Sequence, residues 1–271
     1  MVRWMFVACA LPVLLACSSP EEMGEGIAGE QSEALTERLT ARPPGEPGPG
    51  SFSVEENETV EFASRWPQEA AALPLLDRLL RERASEEMRS FTAMATEAKA
   101  DAEKYDYPYR RYSLDIGVEV IADTPRFLSM LEGRYAYTGG AHGNSDYAPL
   151  LWDRRAQQLL DPAVLFTSIN ALEEAARERY CQRLQNERGA RLGAEFVEGI
   201  DMFDSCPGFS ELAIVVKSSS GDAMDQIDFV AAPYVAGSYA EGAYIITVPI
   251  NEAIMAAISD EFRSAFTRSV E

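Results

Sequence analysis

"RYSLDIGVEVIADTPRFLSMLEGRYAYTGGAHGN", Arg111 to Asn144, decides the fold. Apolar and polar residues alternate from Arg111 to Ala122, as they do in a strand with one face covered. Asp123-Thr124-Pro125 turns the chain, and alternation resumes from Phe127 to Tyr137. Gly139-Gly140 then closes the second strand, since glycine accepts backbone angles that other residues resist. A further run, Tyr147 to Asp153, is placed to pair back. Successive hairpins of this kind build an antiparallel sheet.

Upstream, "SFSVEENETVEFASRWP" alternates as one or two half-buried strands. Pro67 opens a helical pattern from Gln68 to Lys104, which Pro74 kinks or restarts. Its apolar stripe runs through Leu73, Leu76, Leu79, Leu80, Met88, Phe91 and Met94. Downstream, Asp161-Pro162 leads to a helix over Ile169 to Glu187, with Ser168 as N-cap ahead of an acidic first turn. Strands follow at Glu211 to Lys217, Asp225 to Ala231 and Ala243 to Val248, then a helix from Asn251. Hairpins interrupted by helices predict an α+β fold: an antiparallel sheet with helices packed on it. Residues 51–143 and 144–271 form two intimately associated half-modules on this reading.

The chain's start addresses its compartment. Arg3 precedes a short apolar run, Trp4 to Leu15, so residues 1–16 read as a secretory signal, too short to span a bilayer. Leu14-Leu15-Ala16-Cys17 resembles the lipobox of bacterial lipoproteins, which implies cleavage before Cys17 and a diacylglycerol on its sulfur. The plain alternative is a signal peptide with an incidental cysteine. Ser18 resembles an outer-membrane address, which predicts a lipid-anchored envelope protein on the periplasmic face. Residues 17–50 are acidic and rich in Gly and Pro, the composition of a lipidated, disordered tether.

Cys9 leaves with the signal and Cys17 carries lipid, so Cys181 and Cys206 remain to form a disulfide in an oxidising envelope. With 24 basic against 44 acidic residues the net charge is −20, which excludes a nucleic-acid partner. It also denies the chain electrostatic attraction to anionic lipid, leaving the lipid on Cys17 as the membrane link. The charge suits a basic partner, although solubility alone explains it as well.

Two blocks together carry a family resemblance. "YTGGAHGN" holds Gly139, Gly140, Ala141, His142 and Asn144, and "PYVAGSYAEG" holds Pro233, Tyr234, Gly237, Tyr239, Ala240 and Gly242. In that order and spacing they resemble the RsiV-like envelope module, a domain of unknown function (DUF3298) preceded by a DUF4163-like half. Ser238 stands where that pattern often carries proline, which implies a looser turn; Ala232 and Val235 replace residues that are often larger or charged. The resemblance covers roughly Phe52 to Ala257 and implies a module that recognises something outside the cytoplasm. In one relative, a Gram-positive anti-sigma factor, the module resembles a receptor for lysozyme; in another it accompanies a peptidoglycan-deacetylase catalytic domain. Neither a transmembrane anti-sigma region nor a catalytic domain is read in this sequence, so the specific ligand does not carry over.

His142, the single histidine, needs partners before it has chemistry. Ser145 lacks a nucleophile-elbow context, and nearby carboxylates such as Asp146 fall short of a metal set. An imidazole bonded to its own turn accounts for the same residues. Asp222, Asp225 and Asp228 miss the calcium-loop spacing and read as a solvated acidic loop. Tyr234, Tyr239 and Tyr244 offer apolar area with a polar tip, which suits sugar or protein, although core packing uses such residues equally. The expectation is a non-enzymatic module without cofactor or metal, binding a lysozyme-like protein or peptidoglycan through His142, Asn144 and these tyrosines. The alternative is a cell-wall polysaccharide hydrolase or deacetylase-type enzyme that uses His142.

Overall fold

The computed structural model describes residues 51–193 and 205–269. The expected signal, Cys17 and the tether lie outside the described residues. Two sheets organise the rest. The larger has six strands in sequence order: β1 (Ser51–Glu56), β2 (Val60–Arg65), β3 (Tyr112–Asp123), β4 (Phe127–Tyr137), β5 (Asn144–Asp153) and β6 (Gln158–Leu160). The smaller is β7 (Ala213–Lys217), β8 (Gln226–Ala231) and β9 (Tyr244–Pro249). Every neighbouring pair is antiparallel except β2 and β3, which run parallel. A parallel pair needs a long crossover, and helices α1 (Gln68–Ala71) and α2 (Pro74–Tyr105) supply it. The fold is thus α+β, with helices on mainly antiparallel sheets.

Pro74 restarts the helix rather than bending it. It occupies the first turn of α2, where its missing N–H costs no hydrogen bond. Leu76, Leu80, Ala84, Phe91 and Ala95 of α2 are buried against the even-numbered residues of β2, β3 and β4. Met94, read as part of the stripe, is 45 % exposed, and small Ala95 takes the sheet-facing place. The helix ends at Asp106 in the left-handed region (φ 56), just before Tyr107-Pro108.

The other face of the large sheet receives the small one. Leu131, Tyr147 and Ile121 pack there on Val215, Val230 and Ala243. β4 is therefore covered on both faces from Phe127 to Gly133, so its alternation ends in full burial. The far face of the small sheet carries α3 (Ile169–Leu192), with Leu172, Ala176, Tyr180 and Leu184 buried on Phe229, Tyr244 and Ile246. The layers run helix, sheet, sheet, helix. Each large apolar side chain buried in them contributes about 1.5–3 kcal/mol.

Local chemistry sets the ends of these elements. Ser168 Oγ accepts the Ala171 N–H at 3.0 Å, which caps α3 as its sequence requires. No acidic residue sits in that first turn, because Glu173 and Glu174 fall one turn further on. Asn251 Oδ1 caps α4 (Glu252–Ala257) through the Ile254 N–H at 2.9 Å. Cys181 of α3 is bonded to Cys206, tying that helix to the segment that leads into β7.

Candidate functional site

The β4–β5 turn and the β8–β9 connection, far apart in sequence, meet at one end of the two sheets. Gly139 (φ 92) and Gly140 (φ 94) give the first turn its left-handed backbone. Tyr137 Oη donates to Gly140 O at 3.1 Å, and Arg110 Nη1 reaches the same carbonyl at 3.4 Å. Gly143, which the two-block pattern does not single out, is needed for close approach. A Cβ there would lie 2.5 Å from the Tyr135 ring and 2.7 Å from Ala136 O. His142 is exposed, and its Nδ1 lies 2.8 Å from Gly143 O, so Nδ1 carries the proton and donates. The imidazole therefore bonds its own turn through Nδ1. Asn144 is exposed beside it.

The opposite loop is built from below by α3. Arg188, almost fully buried, gives Nε and Nη2 to Ala236 O at 2.9 and 2.7 Å. Arg191 Nη1 donates to Glu241 O and Ala243 O, both at 2.9 Å, and its guanidinium lies 3.9 Å from the Tyr244 ring centre. Glu241, also buried, accepts the Ser238 N–H at 2.7 Å and the Tyr244 hydroxyl at 2.5 Å. Burial and that carboxylate push the Tyr244 hydroxyl well above the ordinary phenol value. The Ser238 bond corrects one expectation. A proline there would lack the N–H, so serine adds an anchor instead of loosening the turn. Gly237 has no room for a side chain, because its Cβ would meet Glu241 Oε2 at 2.6 Å and Tyr244 Cε2 at 2.8 Å. Gly242 takes φ 72.

Tyr244 is the second correction. Its ring has no exposed surface, so it supports the loop and cannot touch a ligand. The surface consists of the other rings. His142 stacks on Tyr239 with centroids 3.9 Å apart, and Tyr239 lies 5.8 Å from Tyr234. Tyr234 is 53 % exposed and sits at φ 73, held by its N–H bond to Gly237 O at 3.0 Å. A left-handed backbone costs a non-glycine residue roughly 1–2 kcal/mol. The loop bears this strain with the aromatic ring turned outward.

The acidic run behaves differently from its sequence reading. Asp225 and Asp228 are buried rather than solvated. Asp225 accepts the Ser219 N–H at 2.9 Å, while Asp228 takes the Thr247 hydroxyl at 2.6 Å and Lys217 Nζ at 3.3 Å. Among the described residues no three His, Cys, Asp or Glu side chains converge on a common metal position. Among them also, no helix is long and apolar enough to cross a membrane. The sequence reading missed Arg188 and Arg191, because it ended the helix at Glu187, whereas α3 continues to Leu192 and carries both side chains to the loop.

Residues 53–145 match the family model described as Deacetylase PdaC, a stretch that ends with the His142 turn. Two solved structures are similar. One is a DUF3298 family protein from Pseudomonas aeruginosa, 17 % identical, with a TM-score of 0.44 over 75 % of this chain and 87 % of that one. The other is a member of the same family from Bacteroides fragilis, 18 % identical, with a TM-score of 0.44 over 76 % and 86 %. No curated protein matches the chain.

Proposed function

We propose that this chain is a lipid-anchored cell-envelope protein whose folded part binds glycan strands, peptidoglycan being the substrate class. One observation carries the binding role: Tyr234 is held outward in a strained backbone, tilted against Tyr239, which stacks on His142. Sugar rings present C–H faces that pack on aromatic faces, and the flanking Asn144 and Arg110 add polar groups for hydroxyls or carboxylates. The name of the matching family model, a deacetylase, is in keeping with a ligand that carries acetyl groups, as peptidoglycan sugars do. It also supports a second reading, in which His142 Nε2 acts as a base on such a polymer.

The anchor is the diacylglycerol on Cys17, with the acidic, Gly- and Pro-rich segment 17–50 as tether. Labelled fatty acid incorporated by the wild type and absent from Cys17→Ala supports that part; equal labelling refutes it. For the binding role, purified full-length protein is mixed with peptidoglycan sacculi at low and high salt. Retention at both, lost in Tyr234→Ala without a change in melting temperature, is the expected result. No retention at either salt overturns the glycan reading. Product release abolished by His142→Ala would replace it with the enzyme.

A further inference from the structure

Arg110 belongs to the short segment between α2 and β3, and its neighbours fix that segment at one end of the large sheet. The Tyr109 hydroxyl donates to Thr59 O at 2.7 Å, and its ring stacks on Tyr112 with centroids 5.6 Å apart. The Tyr112 N–H reaches the same carbonyl at 3.2 Å. Ser113 pairs with Tyr137, so β3 starts beside the β4–β5 turn. From there Arg110 Nη1 reaches Tyr137 Oη and Gly140 O, both at 3.4 Å. Gly140 stands two residues before His142, whose ring stacks on Tyr239. The exposed guanidinium is thus held at the border of the aromatic surface.

What Arg110 lacks is a carboxylate, in a chain with 44 acidic against 24 basic residues. Its neighbour Arg111 holds Glu56 at 2.9 Å and Glu61 at 2.8 Å, and Arg134 holds Glu87 through both terminal nitrogens. Arg110 makes no ion pair among the described residues, and both of its printed bonds leave from Nη1, so Nε and Nη2 are unused there. Arg155 and Arg183 also lack a carboxylate among those residues, but no side-chain hydrogen bond fixes either of them. A guanidinium presents its N–H groups as a flat fork that matches the two oxygens of a carboxylate. Fixing one nitrogen beforehand reduces the side-chain freedom lost when a ligand arrives. Sugar hydroxyls gain less from this fork, since charge-assisted hydrogen bonds are roughly twice as strong as neutral ones. A basic protein gains nothing from it.

We propose that Arg110 is a carboxylate subsite of the aromatic surface, which makes that surface select a glycan bearing carboxylates over a neutral one. This rests on the glycan reading and adds the charge of the ligand to it. The carboxylate belongs to the sugars themselves or to peptides attached to them. The chain's net charge of −20 repels such a polymer over distance. At physiological ionic strength that repulsion is screened beyond about 8 Å, while the contact at Arg110 lies inside this range.

Three probes are titrated into full-length protein by isothermal calorimetry at about 0.15 M salt. They are peptide-free peptidoglycan strands, which carry a carboxylate on every second sugar, a neutral N-acetylglucosamine oligosaccharide of equal length, and the free stem peptide. The wild type is expected to bind the acidic strands about fivefold more tightly than the neutral oligosaccharide. Arg110→Gln keeps a donor for Gly140 O but removes the charge, and it abolishes that preference at an unchanged melting temperature. Arg110→Lys, a point charge without the fork, restores part of it. Tyr234→Ala weakens both glycans alike and preserves their ratio. Arg110-dependent binding of the stem peptide, with no preference between the glycans, supports the subsite and assigns its carboxylate to the peptide. Equal wild-type binding of the two glycans without peptide binding, or a preference that survives in Arg110→Gln, overturns the subsite and leaves glycan binding standing. Binding of none of the three overturns the glycan reading as well.

Discussion

Gly237→Ala tests the construction of the loop most directly. The added Cβ would sit 2.6 Å from Glu241 Oε2 and 2.8 Å from both Glu241 Cδ and Tyr244 Cε2, all inside contact distance. Neither neighbour can move cheaply. Tyr244 is fully buried and covered by Arg191, and Glu241 is fixed by the Ser238 N–H and the Tyr244 hydroxyl. Overpacking of this kind costs roughly 1–3 kcal/mol. Displacing the Glu241 carboxylate strands buried polar groups, at a further cost of about 1–3 kcal/mol. The two overlap, since one shift relieves both, so we expect a loss of about 2–4 kcal/mol. Urea denaturation followed by circular dichroism reads it as a lower midpoint at unchanged slope. Gly139→Ala is the control: nothing lies within 4 Å of its Cβ, so only φ 92 penalises it, by roughly 1 kcal/mol. If Gly237→Ala costs no more than Gly139→Ala, the tight contact is not real and the reasoning fails.

Further outcomes are expected elsewhere. In a double-mutant cycle, His142→Ala and Tyr239→Ala couple by about 0.5–1 kcal/mol, the worth of one ring stack; additivity would mean that the two turns are not joined there. Replacing Cys181 and Cys206 by Ser costs about 3 kcal/mol on the chain-entropy model, seen as a fall in the urea midpoint that reductant reproduces in the wild type. Glu132 is buried beneath α2, and burial raises its carboxyl above the ordinary 4.5, against the lowering effect of Arg83 and Arg134 and together with Glu87 and Asp146. Its folded state therefore holds the proton more tightly than the unfolded chain. That contribution to stability is present below pH 4.5 and lost as pH rises through the folded value. Glu132→Gln should thus gain on the wild type with rising pH, and parallel pH profiles would count against it.

The two hairpin blocks show how far sequence alone reaches. Alternation over Arg111 to Tyr137, the Gly139-Gly140 turn and the cap at Ser168 are local properties, fixed by neighbours within a few residues. They were legible for that reason, as was the Cys181–Cys206 bridge once an oxidising compartment was assumed. Tertiary structure decided what local pattern leaves open. The parallel pairing of β2 with β3 depends on a crossover of helices. The division into two stacked sheets is also invisible to periodicity, because a strand covered on one face and a strand covered on both begin from the same alternation. Tyr234, Tyr239 and Tyr244 look equivalent in sequence, yet one faces solvent, one stacks on His142 and one is fully buried. The difference lies in Arg188 and Arg191, which reach the loop from a helix about fifty residues earlier in the chain. A side chain's surroundings are set by whatever packs against it, and those contacts exist only once the distant elements have met.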